Sequence, residues 1–299
     1  MDHRSTGATL PETTHHFAEV NGTKLHYVAS GTHGSPVLLV HGFPETWWTF
    51  HKVIPALAKK HRVFAVDLRG FGDSDNAPGA YDSATSAEDL HQLISQLDAG
   101  PVHVTGQDIS GGTVFRLVTT HPRDVRSFTA IEMGLAGFGL ETLADVTHGG
   151  SWHIGVLAAP GIPEMLLTGR EREFLGEFAF PAMTVVKDAV SPVDIKEFAR
   201  TYSRPDGWRG ASGLYQSMLR EAAEVKTLAE SPGLRVPLQA IDAGGNPFTI
   251  KTLTAAAPSQ KVRSVVLKGV GHYPSLEAPD KVAKAILDFA GSVDASGTA

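Results

Sequence analysis

The sequence predicts an α/β protein, and three observations predict it. Short β-rich runs alternate with helical patterns from Phe17 to Glu132, runs such as VLLV are continuously apolar, and strand signals return late in the chain after a long helical stretch. Unbroken apolar strands suit a parallel sheet covered on both faces by crossover helices.

In chain order, FAEV, KLHYVAS, PVLLVHG, RVFAVDL, VHVTG and VRSFTAIE carry the β-branched and aromatic content of strands, with helices expected at about 51–60, 84–97 and 111–121. From about Met133 to Leu234 residues such as Leu166, Phe174, Phe198, Leu214 and Met218 recur at helical spacing, which predicts a helical insertion. VPLQAIDAG and VRSVVLKG then restore the sheet, and APDKVAKAILDFAGSV closes the chain as an amphipathic helix. The expected division is a core of 15–133 and 235–293, a lid over 134–234, and flexible ends at 1–14 and 294–299.

The 299 residues are one large domain or one domain with an insertion. With 26 Lys plus Arg against 32 Asp plus Glu, no basic stripe is available to bind a phosphate backbone, so a nucleic-acid partner is not expected. The absence of Cys removes disulfides, thiolate catalysis and Cys-ligated metal centres. No apolar leader opens the chain and no run of 18 apolar residues occurs, so no membrane association is expected and the chain is assigned to the cytoplasm.

The segment VHVTGQDISGGT reads as a strand entering a Gly-rich turn that opens a helix. A nucleophile on such an elbow needs small neighbours two residues to either side. Asp108 meets that demand with Gly106 and Ser110, whereas Ser110 as the nucleophile would put Asp108 at the leading small position. A carboxylate attacks without a base and suits displacement at a saturated carbon, such as that of an epoxide or a halide. An N-cap Asp is the bland reading of the same motif, and two further motifs weigh against it.

VLLVHGFPETWW places His41-Gly42-Phe43-Pro44 after a strand, where the N–H of Phe43 can converge with that of Ile109 as an oxyanion hole. VLKGVGHYPSLEAP puts His272 in a Gly-flanked loop after the last strand, in the chain order nucleophile, then base. DLRGFGDSD adds a loop on the same side after strand four.

Together HGFPETWW, DLRGFGDSD, GQDISGG and GVGHYPSLEAP resemble the α/β-hydrolase epoxide hydrolases and dehalogenases, over about Phe17 to Val293. The resemblance implies the α/β-hydrolase fold: a mostly parallel eight-stranded sheet, helices on both faces, and a helical lid between strands six and seven. It also implies two lid donors over the nucleophile. GGSWHIGVLAAPGIPEMLLTGRE looks like the first lid helix of a bacterial subgroup with a His/Tyr pair, which makes His153 one donor, and GLYQSM places Tyr215 as the other.

Haloacetate dehalogenases carry Arg after the nucleophile and Trp after the lid His, and haloalkane dehalogenases typically carry Trp after the nucleophile. Ile109 and Ile154 stand at those places here. Many epoxide hydrolases keep the acid that orients the base shortly after strand seven, where AIDAGGNPF offers Asn246. The His/Tyr subgroup takes it from just past strand six, so Glu132 is the expected acid and Asp242 the fallback. Trp47, Trp48, Ile109, Trp152 and Ile154 are the candidates to line an apolar pocket between sheet and lid.

The resemblance thus implies an epoxide hydrolase acting through an ester on Asp108, with no metal or organic cofactor. The expected partners are a small apolar epoxide and, at most, a second copy of the chain. The competing readings are a dehalogenase with the same nucleophile and a ligand-binding relative without turnover.

Overall fold

The computed structural model describes residues 7–243, 245 and 247–297. Eight strands form one sheet: β1 (Thr13–Val20), β2 (Thr23–Ser30), β3 (Pro36–Val40), β4 (Arg62–Val66), β5 (Val102–Gln107), β6 (Val125–Ile131), β7 (Leu238–Ala243) and β8 (Val262–Leu267). Their order is β1-β2-β4-β3-β5-β6-β7-β8. The β1–β2 and β2–β4 pairs are antiparallel and all others parallel.

Sequence and structure differ in four places. β1 begins at Thr13 rather than Phe17, because the tight Asn21-Gly22 turn, with positive φ at both residues, sets an eight-pair register with β2. The helix expected at 51–60 is a 3-10 turn, Trp47–Phe50, followed by the single turn Ile54–Leu57. Pro55 lacks an N–H and fits only the first turn of a helix, so the helix starts late. A helix not anticipated, Phe248–Ala256, joins β7 to β8. The final helix runs on through Ala295, two residues beyond the expected end of the core.

β3, β5 and β7 are buried along their whole length, β3 as an unbroken apolar run and the other two with buried polar side chains such as His103 and Gln239. Ser83–Leu97 and Gly111–Thr120 pack on this sheet. Between β6 and β7 the chain makes only turns and helices among the described residues, the longest being Arg209–Arg220 and Pro192–Tyr202. No helix is long and apolar enough to cross a membrane among the described residues.

The chain leaves β3 for β4 on one side and returns to β5 on the other. The ends of β3 and β5 therefore diverge at a switch in strand order, where open α/β sheets bind ligands. The register Val40↔Gly106 sets the HGFP turn directly beside the elbow.

Candidate active site

Asp108 ends β5 at the start of a 3-10 turn that feeds Gly111–Thr120, and it is held at φ 51°. Such a conformation costs a non-Gly residue about 1–3 kcal/mol and persists only where the surroundings impose it. Glycine supplies the room. A Cβ on Gly42 would lie 2.5 Å from the Asp108 Cβ, and one on Gly106 2.9 Å from Val114. Ser110 does more than stay small. Its hydroxyl donates to the Gln107 carbonyl at 2.7 Å and accepts the Gln107 N–H at 3.0 Å, closing the elbow on itself.

The Asp108 carboxylate meets three groups. The Phe43 N–H donates to Oδ2 at 2.9 Å, and His272 Nε2 lies 3.2 Å from Oδ1. Burial raises the Asp108 pKa, but hydrogen bonding and charge from His272, with the N–H groups of Phe43 and Ile109, outweigh it and hold the carboxyl below its usual value. The two backbone donors expected from the motifs thus converge on one carboxylate.

His272 follows β8 with Nδ1 3.2 Å from Glu132 Oε2. Burial alone would lower its pKa, yet the bonds to Asp108 and Glu132 and their charges push it up to about 10. The imidazole therefore rests as a cation between two carboxylates. Glu132, at φ 46° just past β6, is fixed by the Ala243 N–H on its other oxygen. Asp242, the fallback acid, is committed elsewhere: it accepts the N–H groups of Thr249 and Ile250 at 2.8 and 2.9 Å, the first turn of Phe248–Ala256. Asn246 lies outside the described residues.

His153 and Tyr215 both approach Phe43 from the helical segment. The His153 ring stacks on Phe43 with centroids 6.3 Å apart, and the Tyr215 ring meets Phe43 edge-on at 5.4 Å. Burial lowers the His153 pKa, which favours a neutral imidazole with one N–H to donate. Burial, then the Asp108 charge, holds the Tyr215 phenol well above its ordinary value, so it keeps its proton.

An apolar cavity of about 250 Å³ shares Phe43 and His153 with this centre and is lined further by Trp152, Phe174, Phe178 and Met183 among others, although Asp108, His272 and Tyr215 do not line it. Of the five residues expected to line a pocket, only Trp152 lines this one. Trp47 is buried edge-on against Trp48 and His15, and the Trp48 indole N–H donates to Asp194 at 2.8 Å. Ile154 is buried and does not line the cavity. Within the helix Trp152–Ala158 it is buried with Leu157, while Trp152 and His153 line the cavity. A wider surface groove of about 780 Å³, between Gly79–Asp82 and Arg209–Arg220, contains none of the candidate residues.

Sequence reasoning missed several groups. Glu45, fully buried, accepts the Gly42 N–H at 3.1 Å and the Gln107 side-chain N–H at 2.6 Å. Burial pushes its carboxyl up to about 7. Gln107 in turn accepts from Ser275 at 2.8 Å, linking the two turns to the loop after His272. A carboxylate directly after the HGFP turn was the available signal. Tyr202 packs edge-on to Phe43 at 6.0 Å, and its buried hydroxyl has no hydrogen-bond partner among the described residues.

Among the described residues two groups of side chains have metal-ligand spacing, His26–Asp67–Asp73 and His91–His121–Asp124, and neither includes a candidate site residue. In the first, His26 is bonded to Asp67 at 2.7 Å and Asp73 is paired with Arg200 at 2.8 Å.

Residues 35–147 match the model of the alpha/beta hydrolase fold family. The chain is 30% identical to the soluble epoxide hydrolase of Corynebacterium sp. (strain C12), over 93% of this chain and 97% of that one. It is 26% identical to a fluoroacetate dehalogenase of Burkholderia sp over 67% of each. A solved structure, the epoxide hydrolase CorEH without ligand, superposes with a TM-score of 0.82 at 28% identity, covering 94% of this chain and all of the other. The sheet order, the elbow at the end of β5 and this kinship agree, and the chain belongs to the α/β-hydrolase family, in the group that holds epoxide hydrolases and dehalogenases.

Proposed function

We propose that this protein is an epoxide hydrolase that opens an apolar epoxide to a vicinal diol through a hydroxyalkyl ester on Asp108. The observation that carries the reading is the placement of His272 between Asp108 and Glu132, with the N–H groups of Phe43 and Ile109 turned on the same carboxylate. The segment 134–234 acts as the lid.

In the first half-reaction an Asp108 oxygen bonds to an epoxide carbon, and the carbon–oxygen bond of the ring breaks. The ring oxygen takes up the developing charge under hydrogen bonds from Tyr215 and His153, one of which gives it a proton. The ester leaves Asp108 neutral. His272 then loses one of the two charges that raise its pKa, its proton replaces the one the lid donor gave up, and it becomes a base. It deprotonates a water that attacks the Asp108 carboxyl carbon, while Phe43 and Ile109 N–H groups hold the tetrahedral oxyanion. The carbon–oxygen bond to the product breaks, the alkoxide takes the proton from His272, the diol leaves, and the Asp108 carboxyl returns its proton to His272. Glu132 orients the imidazole throughout.

The apolar, uncharged cavity wall supports an apolar substrate. Dehalogenation by the same nucleophile is the second reading, favoured by the kinship with a fluoroacetate dehalogenase. Ile109 beside the nucleophile offers neither a cation for a carboxylate nor a ring N–H for a halide, which supports the epoxide.

One turnover in ¹⁸O water, with enzyme in excess, tests the ester. Water attacks the carboxyl carbon, so the first diol should be unlabelled and the peptide containing Asp108 labelled. Label in the diol and none in the peptide would replace covalent catalysis by direct hydrolysis.

A further inference from the structure

Five residues past His272 lies a carboxylate that the mechanism does not use. Glu277 is 7% exposed, and its two oxygens accept four backbone N–H groups. Oε2 takes those of Gly271 at 2.9 Å and of Val185 and Val186 at 2.8 Å each, and Oε1 takes that of Tyr273 at 3.1 Å. Gly271 and Tyr273 flank the base, whereas Val185 and Val186 belong to the segment between β6 and β7. The N–H of His272 itself donates to the Met183 carbonyl at 2.9 Å. The contact is tight, since a Cβ on Gly271 would lie 2.3 Å from that carbonyl oxygen and 2.7 Å from Glu277 Oε1.

The chemistry explains the choice of residue. Two loops meet here with their N–H groups turned inward, and buried donors without partners are costly. Only a carboxylate offers enough lone pairs to accept all four, and bonds to a charged acceptor are about twice as strong as neutral ones. Met183 also lines the apolar cavity that Phe43 and His153 share. One wall of the cavity is therefore bonded directly to the backbone that carries the base.

We propose that Glu277 is a positioning residue that locks the His272 loop to the 183–186 wall, so that base and cavity wall move as one body. It touches no reacting atom. Its role in turnover rests on the ester reading, and the effect falls on the step that needs the base. Substrate bulk that displaces Met183 pulls on His272 and slows ester hydrolysis more than alkylation.

The test compares wild type, Glu277→Gln and Glu277→Ala in single turnovers with a terminal aryl epoxide, with His272→Gln as the reference for an arrested ester. Glu277→Ala should alkylate within about 3-fold of wild type but hydrolyse the ester about 30-fold more slowly, so that the ester accumulates in the intact mass. Glu277→Gln, which can keep an oxygen where three of the four N–H groups converge, should recover most of the loss. An NMR titration of the His272 imidazole without substrate should move from about 10 toward the ordinary 6.5 in Glu277→Ala, and part of the way in Glu277→Gln. Equal slowing of both steps with an unchanged titration would reduce Glu277 to a structural role and overturn the proposal, as would unchanged hydrolysis. If Glu277→Ala does not fold, Glu277→Gln carries the test, and unchanged hydrolysis and titration in it overturn the clamp. Failure of His272→Gln to form an ester with any epoxide would defeat the epoxide reading, while the titration would still decide the clamp.

Discussion

At rest His272 Nε2 stands 3.2 Å from Asp108 Oδ1, which makes the proposed base and the proposed nucleophile an ion pair. On the proposed mechanism the pairing holds the base inactive until Asp108 becomes an ester. Alkylation needs an anionic Asp108, whose carboxyl is held below its usual value. Hydrolysis needs a neutral His272. Single-turnover rates between about pH 5 and 10 should therefore show alkylation flat on the acid side and hydrolysis rising through a pKa well below 10. A hydrolysis step that rises only near pH 10 would mean that the ester leaves His272 unchanged.

The same pair has a signature in stability. The raised His272 pKa contributes stability that is complete below about 6.5 and lost as pH rises toward about 10. The depressed Asp108 pKa contributes above 3.8 and is lost as pH falls. Denaturant unfolding of Asp108→Asn should be flatter than wild type across the alkaline window.

Glu132 and Asp242 should separate cleanly. Glu132→Gln should lower ester hydrolysis by about 10²–10⁴-fold, because the imidazole loses its orienting charge. Asp242→Asn should leave turnover nearly unchanged and cost about 1 kcal/mol of stability through the first turn of Phe248–Ala256. Steady-state rates and unfolding midpoints of the two variants decide the ranking, and the reverse order would move the acid to β7.

Tyr215→Phe and His153→Ala should each slow alkylation by an epoxide, with the double mutant slower than either. The loss of one transition-state donor is worth about 2.7–4 kcal/mol, or roughly 10²–10³ in rate. A matched bromoalkane, whose leaving group is a diffuse anion, should lose less. Unchanged epoxide rates together with halide release by wild type would favour dehalogenation.

Glu45 should leave a slope in stability. Its folded pKa is raised from 4.5 to about 7, so the folded state holds a proton that the unfolded chain releases, and stability falls as pH rises through that window. The fall should approach about 3 kcal/mol and be absent in Glu45→Gln. Unfolding free energies at about pH 4.5 and 7.5 check it, and parallel slopes for the two proteins would show that Glu45 ionises freely.

Much of this was legible in the chain because it is local. Continuous apolar runs mark buried parallel strands. Gly106, Asp108 and Ser110 mark a turn whose sterics depend on nearest neighbours, and the order of Asp108 and His272 follows from the fold class. Local pattern went astray at 51–60, where Pro55 limits the helix, and at Trp47 and Trp48, whose rings are large enough for a pocket but are drawn to His15 and Asp194 from distant segments. Only the tertiary structure brings Glu132 rather than Asp242 against His272. Both end neighbouring strands with a carboxylate at the same edge of the sheet, and the choice depends on which one the helix Phe248–Ala256 claims for its first N–H groups. Glu45, Gln107 and Glu277 were hidden for the same reason. Their partners lie across chain crossings, where the hydrogen-bonding needs of buried backbone, rather than any run of residues, determine which side chain is held and where.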